Sequence, residues 1–343
     1  MYSQSLPSSS QFKSWRWWLM ICAFTFFILA GQAAATLLGR FYYNQGGKSL
    51  WMSTIVQSCG SPLLLLPVAL LFPLTSSSQI ARPPAAKTAA IYVVLGILIA
   101  GDNLMYSYGL LYLPVSTYSL VCATQLAFNA LFSYFFNSQK FTPFIFNSII
   151  LLTLAAALLG VRSDGNSSVS NKYPIGFALT ICASATFSLT LSLMQLSFQK
   201  VLKNETFAVV LEMIVWTNFV ASAASVAGLF ASGEWSGIHL EFAEFEKGRL
   251  SYVMTLVWIA VSWAVYSVGA VGLIYAVSSL FANVIATLAL PLVPVFAVVF
   301  FHDRMDGVKV VALLIAFLGF VNYVYQHYLD DSKAKSIERG EDL

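Results

Sequence analysis

Pro114-Val115-Ser116-Thr117-Tyr118-Ser119-Leu120 opens one long apolar segment, and Ala276-Val277-Ser278-Ser279-Leu280-Phe281-Ala282 opens another in the second half of the chain. Both follow a very short turn. Each segment closes on a polar hairpin, Asn137-Ser138-Gln139-Lys140 in the first and His302-Asp303-Arg304 in the second. Each hairpin leads into a helix rich in small residues, ending at Gly160 and at Gly319. The parallel marks an internal repeat, although shared apolar composition is a competing source of such a likeness. Working outward gives ten apolar spans, at 16–38, 50–73, 89–111, 114–136, 144–161, 174–198, 207–230, 251–274, 278–301 and 308–327. Five spans per half is an odd number, so the halves must run in opposite directions across a bilayer. Inverted repeats place a substrate near the midplane, between the halves. The expected fold is an all-α membrane protein: ten transmembrane helices as two inverted five-helix repeats, 15–162 and 163–327. Disordered tails are expected at 1–14 and 328–343.

Composition agrees with a membrane setting. Of 343 residues 58% are hydrophobic and 10% charged, and the mean hydropathy is +0.76. Repeated apolar runs near 20 residues read as transmembrane helices. They are continuous rather than alternating, which excludes a closed antiparallel barrel. The net charge of +3 is spread through loops, so no nucleic-acid surface is expected. Cys22, Cys59, Cys122 and Cys182 all fall inside apolar segments, which argues against a disulfide framework or a zinc site. Lys13 and Arg16 precede an apolar run too long for a signal-peptide core. Trp15, Trp17, Trp18, Trp51 and Trp235 lie at span ends, where interfacial aromatics anchor a helix.

With both termini cytosolic, ten Lys and Arg side chains fall inside and eight outside, a lean under the positive-inside rule. Two glycosylation sequons then lie on opposite sides, Asn166-Ser167-Ser168 outside and Asn204-Glu205-Thr206 inside. The connection 231–250 carries Glu234, Glu241, Glu244 and Glu246 among Leu240, Phe242 and Phe245. It reads as a solvated acidic loop or as a short helix on the membrane surface.

Polar side chains inside apolar spans are costly and mark pathways or cavities. Asp102 sits in mid-span within Gly101-Asp102-Asn103-Leu104-Met105-Tyr106, and Tyr106 shares its helical face. In the fourth span Tyr118, Cys122, Gln125, Asn129 and Ser133 follow steps of three and four, one face of a helix. Gln125 and Asn129 each offer an amide donor and acceptor, suited to the edge of a planar heterocycle; the alternative is packing between helices. In the seventh span Glu212 and Trp216 are four apart. Glu212 or Asp102 is the candidate proton carrier, with a headgroup contact and a structural hydrogen bond as the respective alternatives. Trp216 and Tyr106 are candidates for stacking on a ring. Trp258, Ser262 and Tyr266 share a face of the eighth span beside Trp263. Gln32 in the first span, with Asn283 and Thr287 in the ninth, completes a polar ring. Small residues at Gly31 and Ala33–Ala35, and at 221–225, permit close helix crossings.

Several of these stretches together resemble the plant purine permeases, part of the drug/metabolite transporter superfamily. They are Gly101-Asp102-Asn103, Tyr108-Gly109-Leu110-Leu111-Tyr112-Leu113-Pro114 with Ser116-Thr117-Tyr118-Ser119-Leu120, and Gln125-Leu126-Ala127-Phe128-Asn129-Ala130. Phe132-Ser133-Tyr134-Phe135, Gln139-Lys140-Phe141-Thr142-Pro143, Gly228-Leu229-Phe230-Ala231-Ser232-Gly233-Glu234-Trp235 and Tyr323-Val324-Tyr325-Gln326 extend the match over nearly the whole chain outside the tails. The resemblance implies proton-coupled uptake of adenine, cytokinins and related purines, with some relatives taking alkaloids or pyridoxine-like rings. It also implies a location in the plasma membrane or an endomembrane of a plant cell.

On this reading the partners are a small purine-type substrate, protons and membrane lipid, with no cofactor and no metal. A nucleotide-sugar carrier shares the superfamily fold, but its anionic substrate calls for Lys or Arg inside the bundle. Here Arg40 and Arg304 stand at span ends. An intramembrane aspartyl protease needs a second mid-membrane aspartate, and a zinc protease needs paired membrane histidines; this chain has neither.

Overall fold

The computed structural model describes residues 15–71, 85–137, 142–161, 172–202, 207–276, 279–302 and 305–339. Its α-helices are α1 (Trp15–Asn44), α2 (Leu50–Leu71), α3 (Ala85–Tyr112), α4 (Val115–Cys122), α5 (Gln125–Asn137), α6 (Pro143–Val161), α7 (Tyr173–Ser197), α8 (Phe207–Ala231), α9 (Ile238–Glu244), α10 (Arg249–Ala276), α11 (Ser279–Phe301) and α12 (Gly307–Arg339). Among the described residues no strand occurs. A helix satisfies its backbone groups internally, and a lipid environment requires that. Seven stretches are long and apolar enough to cross a membrane: α1, α3, the α4–α5 pair, α7, α8, α10 and α12. Pro143–Leu158 and Ile285–Phe301 are shorter apolar helices. The tail 1–14, the sequons, the hairpin residues 138–141 and 303–304, and the boundary at 162 and 163 lie outside the described residues.

Two elements differ from expectation, and a third follows one of the two readings given for it. The expected span 114–136 is broken between α4 and α5. Ala123 N–H is shared between Ser119 and Leu120 carbonyls, and Thr124 N–H reaches the Val121 carbonyl at 3.0 Å. The Thr124 hydroxyl adds a 2.7 Å bond to the same Val121 carbonyl. These i to i−3 bonds tighten the chain locally and rotate α5 relative to α4. Of the two readings of the acidic connection after α8, the short helix holds rather than the solvated loop: a 3₁₀ turn, Glu234–Gly237, leads into α9, and Glu241 is buried. Finally, α12 continues to Arg339 where an unstructured tail was expected from 328. Residues 328–339 hold no Gly or Pro and several strong helix formers, and Gly340 follows at the usual stop position.

The bundle is built from paired helices. α1 runs along α10, and α3 along α7; α2 packs on α8 and α6 on α12; further contacts join α3 to α8, α2 to α10, α5 to α7, α1 to α11 and α4 to α11. The α1–α2 turn, the α3–α4 turn, the start of α7 and the α8–α10 connection gather at one end. Lys48 bridges to Glu244 at 3.4 Å, and the Lys172 ammonium lies 5.3 Å over the Tyr112 ring. Arg40 donates from one guanidinium nitrogen to the carbonyls of Leu110 (2.8 Å), Leu111 (3.3 Å) and Leu113 (3.1 Å), which closes the C-terminus of α3. Its charge is thereby committed to backbone dipoles. Hydrogen bonds from charged groups contribute about 1.5–3 kcal/mol. Arg40→Ala is therefore expected to destabilise the detergent-solubilised protein by about 2 kcal/mol, read as a lower thermal midpoint.

Candidate functional site: a polar cavity at the centre of the bundle

Where α1, α2, α3, α4 and α10 converge, a cavity of about 20 Å³ is lined by Ala35, Thr36, Gly39, Ser53, Gln57, Tyr106, Leu110, Tyr118, Ile259 and Trp263. That is room for about one water, whereas sites that enclose drug-sized ligands occupy roughly 300–1,000 Å³. At this volume the cavity does not hold a ring-sized ligand. Its polar wall is organised by α2 and α3. The Gln57 amide donates to the Ser107 hydroxyl at 2.9 Å, and that hydroxyl donates to Ser53 at 3.2 Å. The Gln57 side-chain oxygen has no bond in this chain of contacts. The Tyr106 and Tyr118 rings meet edge to face at 6.0 Å, and Trp263 meets Tyr266 likewise at 5.6 Å. Lining groups are amide, hydroxyl, indole and phenol; among the described residues no Lys or Arg lines the cavity.

Of the residues singled out from the sequence, Tyr106 and Tyr118 line this cavity. Asp102 stands one turn from Tyr106 on α3 and is 4% exposed; its Oδ1 has no hydrogen-bond partner among the described residues. Its carboxyl lies within electrostatic reach of the Tyr106 and Tyr118 side chains and the Cys122 thiol. Tyr106 OH also donates to Ser184 on α7 at 3.4 Å. Gln32 is one turn below the cavity residue Thr36 on α1, with its Oε1 buried and partnerless among the described residues.

The other candidates sit elsewhere. Gln125 is buried at the start of α5, where its backbone carbonyl accepts from Ser188 at 2.6 Å. The Asn129 amide donates to Tyr323 OH at 3.0 Å and so ties α5 to α12. The break at Ala123 and Thr124 explains this: it turns Asn129 away from the face that carries Tyr118. Glu212 is half-buried on α8, within electrostatic reach of Tyr92 on α3. Trp216 is 45% exposed and packs edge to face on Phe219 at 5.9 Å, outside the cavity lining. Trp258 also points outward, and Trp263 is the α10 indole that reaches the cavity. The side chain of Asn283 lies outside those described. Thr36, Ser53, Gln57 and Ser107 were not singled out from the sequence. The missed signal is a polar stripe on the second span, Ser49, Ser53, Gln57 and Ser61, at an unbroken four-residue spacing that keeps one helical face.

A bundle of long, apolar helices is the architecture of a multi-pass membrane protein. A family model described as purine nucleobase transmembrane transport matches residues 19–333, and the chain belongs to that family. Probable purine permease 11 of Arabidopsis thaliana is 55% identical, over 94% of this chain and 86% of that protein. Probable purine permease 10 of the same plant is 48% identical, over 97% and 87%. A solved crystal structure superposes with a TM-score of 0.50 at 16% identity, covering 88% of this chain and 95% of that one. That likeness concerns the fold alone. The chain is an integral, multi-pass membrane transporter.

Proposed function

We propose that this chain moves purine bases and related flat nitrogen heterocycles, cytokinins among them, together with protons, by alternating access of two inverted five-helix halves. The observation that carries the substrate class is the cavity wall. An amide at Gln57 can pair with a ring edge, Trp263, Tyr106 and Tyr118 offer aromatic faces, and among the described residues no Lys or Arg lines the cavity to hold a phosphate. Arg40, which stands nearest in sequence to the cavity residue Gly39, is engaged with the α3 carbonyls. A nucleotide-sugar therefore suits this cavity less well than a neutral base.

The packing of the helices supports the inverted halves. Let α1 exchange with α7, α2 with α8, α3 with α10, the α4–α5 pair with α11, and α6 with α12. The α1–α10 contact then becomes α7–α3, α3–α8 becomes α10–α2, and α5–α7 becomes α11–α1. The α2–α8, α6–α12 and α4–α11 contacts map onto themselves. A two-fold relation between halves produces that exchange, and alternating access follows when the halves rock about the cavity.

For the proton, Asp102 is the stronger candidate. It adjoins two cavity-lining tyrosines, whereas Glu212 lies on α8 against Tyr92. On this reading the base docks against Gln57 and the aromatic rings, Asp102 takes up a proton, and the closed cavity reopens on the other side.

The test is uptake of labelled adenine into transport-deficient cells at acidic and alkaline pH, with cytokinins, nicotine and pyridoxine as competitors. Uptake stimulated by acid and blocked by purine derivatives is expected; uptake of none of these rings rejects the reading. In the same assay Gln57→Ala is expected to raise the half-saturating concentration about tenfold, near 1.4 kcal/mol for a lost polar contact. Asn129→Ala, which loses only its bond to Tyr323, should leave that concentration unchanged.

A further inference from the structure

The acidic segment after α8 is docked onto the α1–α2 turn by a set of polar contacts that the transport reading above does not use. Glu241 of α9 is 4% exposed. Its carboxylate accepts from the backbone N–H of Lys48 at 3.0 Å and of Ser49 at 2.9 Å, and from the Tyr42 hydroxyl. Glu234 accepts from the Ser49 hydroxyl at 2.7 Å and from Trp51 N–H at 3.2 Å. Two carboxylates from a distant segment thus close the N-terminus of α2, whose first N–H groups have no partner within their own helix. Glu246 N–H also donates to the Gln45 carbonyl at 3.0 Å.

Beneath this docked segment lies an aromatic layer. Phe242 and Phe245 pack on Tyr252 at ring separations of 5.7 and 5.3 Å, and Tyr252 packs on Tyr42 at 6.1 Å. The layer abuts the cavity on three helices. On α2, Ser53 and Gln57 are one and two turns below Ser49, about 6 and 12 Å along the axis. On α10, Ile259 is two turns below Tyr252. On α1, Gly39 is one turn below Tyr43, whose hydroxyl faces those of Ser53 and Ser107. Two glycines with positive φ flank the segment, Gly233 at +77° and Gly248 at +85°. At both, a Cβ would meet no atom within 4 Å, so each glycine serves the backbone turn and not a packing contact. Their backbone freedom suits these two positions to act as pivots.

We propose that residues 234–247 are a gating strap over the cavity at the α1–α2 end, with Glu241 as its catch, and that each transport cycle lifts this strap from the α1–α2 turn. The strap is the lid of that cavity, so the proposal rests on the transport reading for its purpose but not for its geometry. Release exchanges these six protein hydrogen bonds for water and separates Phe242 and Phe245 from Tyr252. A strap fixed shut blocks the cycle, and a strap without its catch exposes the polar face of α2.

Two measurements test this on the full chain. A backbone hydrogen bond between Gln45 and Glu246 puts their Cα atoms about 5–6 Å apart, within disulfide reach. Oxidised Gln45→Cys/Glu246→Cys protein in liposomes is expected to lose labelled-adenine uptake at least tenfold and to regain it on reduction. The unsubstituted chain, given the same oxidant, should be unaffected. Cross-linked protein that transports at its reduced rate overturns the proposal. The second measurement needs no transport. A cysteine in place of Ser53 is treated with a membrane-impermeant thiol reagent from the α1–α2 side and read by mass spectrometry at that position. Adding Glu241→Gln is expected to speed labelling at least tenfold, and an unchanged rate overturns the proposal. Should the chain prove to carry something other than a purine, the labelling result still stands, which separates failure of the gate from failure of the substrate assignment.

Discussion

Asp102→Asn is expected to yield a carrier that still exchanges labelled adenine across a liposome membrane but no longer concentrates it against a gradient. The side chain is 4% exposed, with Oδ1 lacking a hydrogen-bond partner among the described residues, and it stands one turn from Tyr106 on the cavity wall. Asparagine matches it in size and keeps the carbonyl acceptor, so the packing of α3 is preserved. What it lacks is the ability to change charge by taking one proton. Each proton moved down one pH unit supplies about 1.4 kcal/mol, equivalent to tenfold accumulation. Loss of coupling should therefore remove at least a tenfold gradient when pH drives uptake, with exchange near the unsubstituted rate. Glu212→Gln, on α8 beside Tyr92, should accumulate adenine normally. If the two variants behave the other way round, Glu212 couples the proton and Asp102 is structural.

The contrast between those two carboxyls shows what can be read from a sequence of this kind. The apolar spans are legible because lipid imposes a continuous pattern on each segment, and the described residues of those spans are helical apart from the break between α4 and α5. The proposed repeat rests on turns that recur at matching places in the two halves. Which face of each helix points inward is harder, because helices apolar all round carry no amphipathic stripe to read. Hence the sequence does not separate Trp216 and Trp258, which are exposed, from Trp263, which lines the cavity. The break at Ala123 and Thr124 has no Gly or Pro to announce it, and it sends Asn129 to Tyr323. Glu241 reads as one of four surface acids. Its burial depends on the N–H groups of Lys48 and Ser49 nearly two hundred positions earlier, a pairing that no local pattern encodes. The Ser49, Ser53, Gln57, Ser61 stripe, by contrast, was open to the same four-residue spacing argument that found Tyr118.

Gly60→Leu is expected to abolish the folded protein, with no monodisperse species recovered in detergent, and Gly60→Ala is expected to lower both the thermal midpoint and the transport rate severely. A Cβ at Gly60 would overlap the Ala260 carbonyl oxygen and stand 2.8 Å from its carbon. Both are backbone atoms, so no side chain can rotate aside, and α2 and α10 must separate. Small residues at a crossing are what let two membrane helices approach so closely, and overpacking a tight interior costs about 1–3 kcal/mol or more. The crossing also sets the cavity: Gln57 on α2 and Trp263 on α10 are each one turn from the Gly60–Ala260 contact, and both line it. Pushing the helices apart therefore moves the amide and the indole together, so stability and affinity should fall in the same variant. Gly101 supplies the control. It adjoins Asp102, yet a Cβ there meets nothing within 4 Å. Gly101→Ala should leave the midpoint equal or higher, since alanine is the better helix former by about 1 kcal/mol, and should leave uptake unchanged. Equal tolerance at the two glycines would mean that the α2–α10 crossing is looser than described, and the cavity with it.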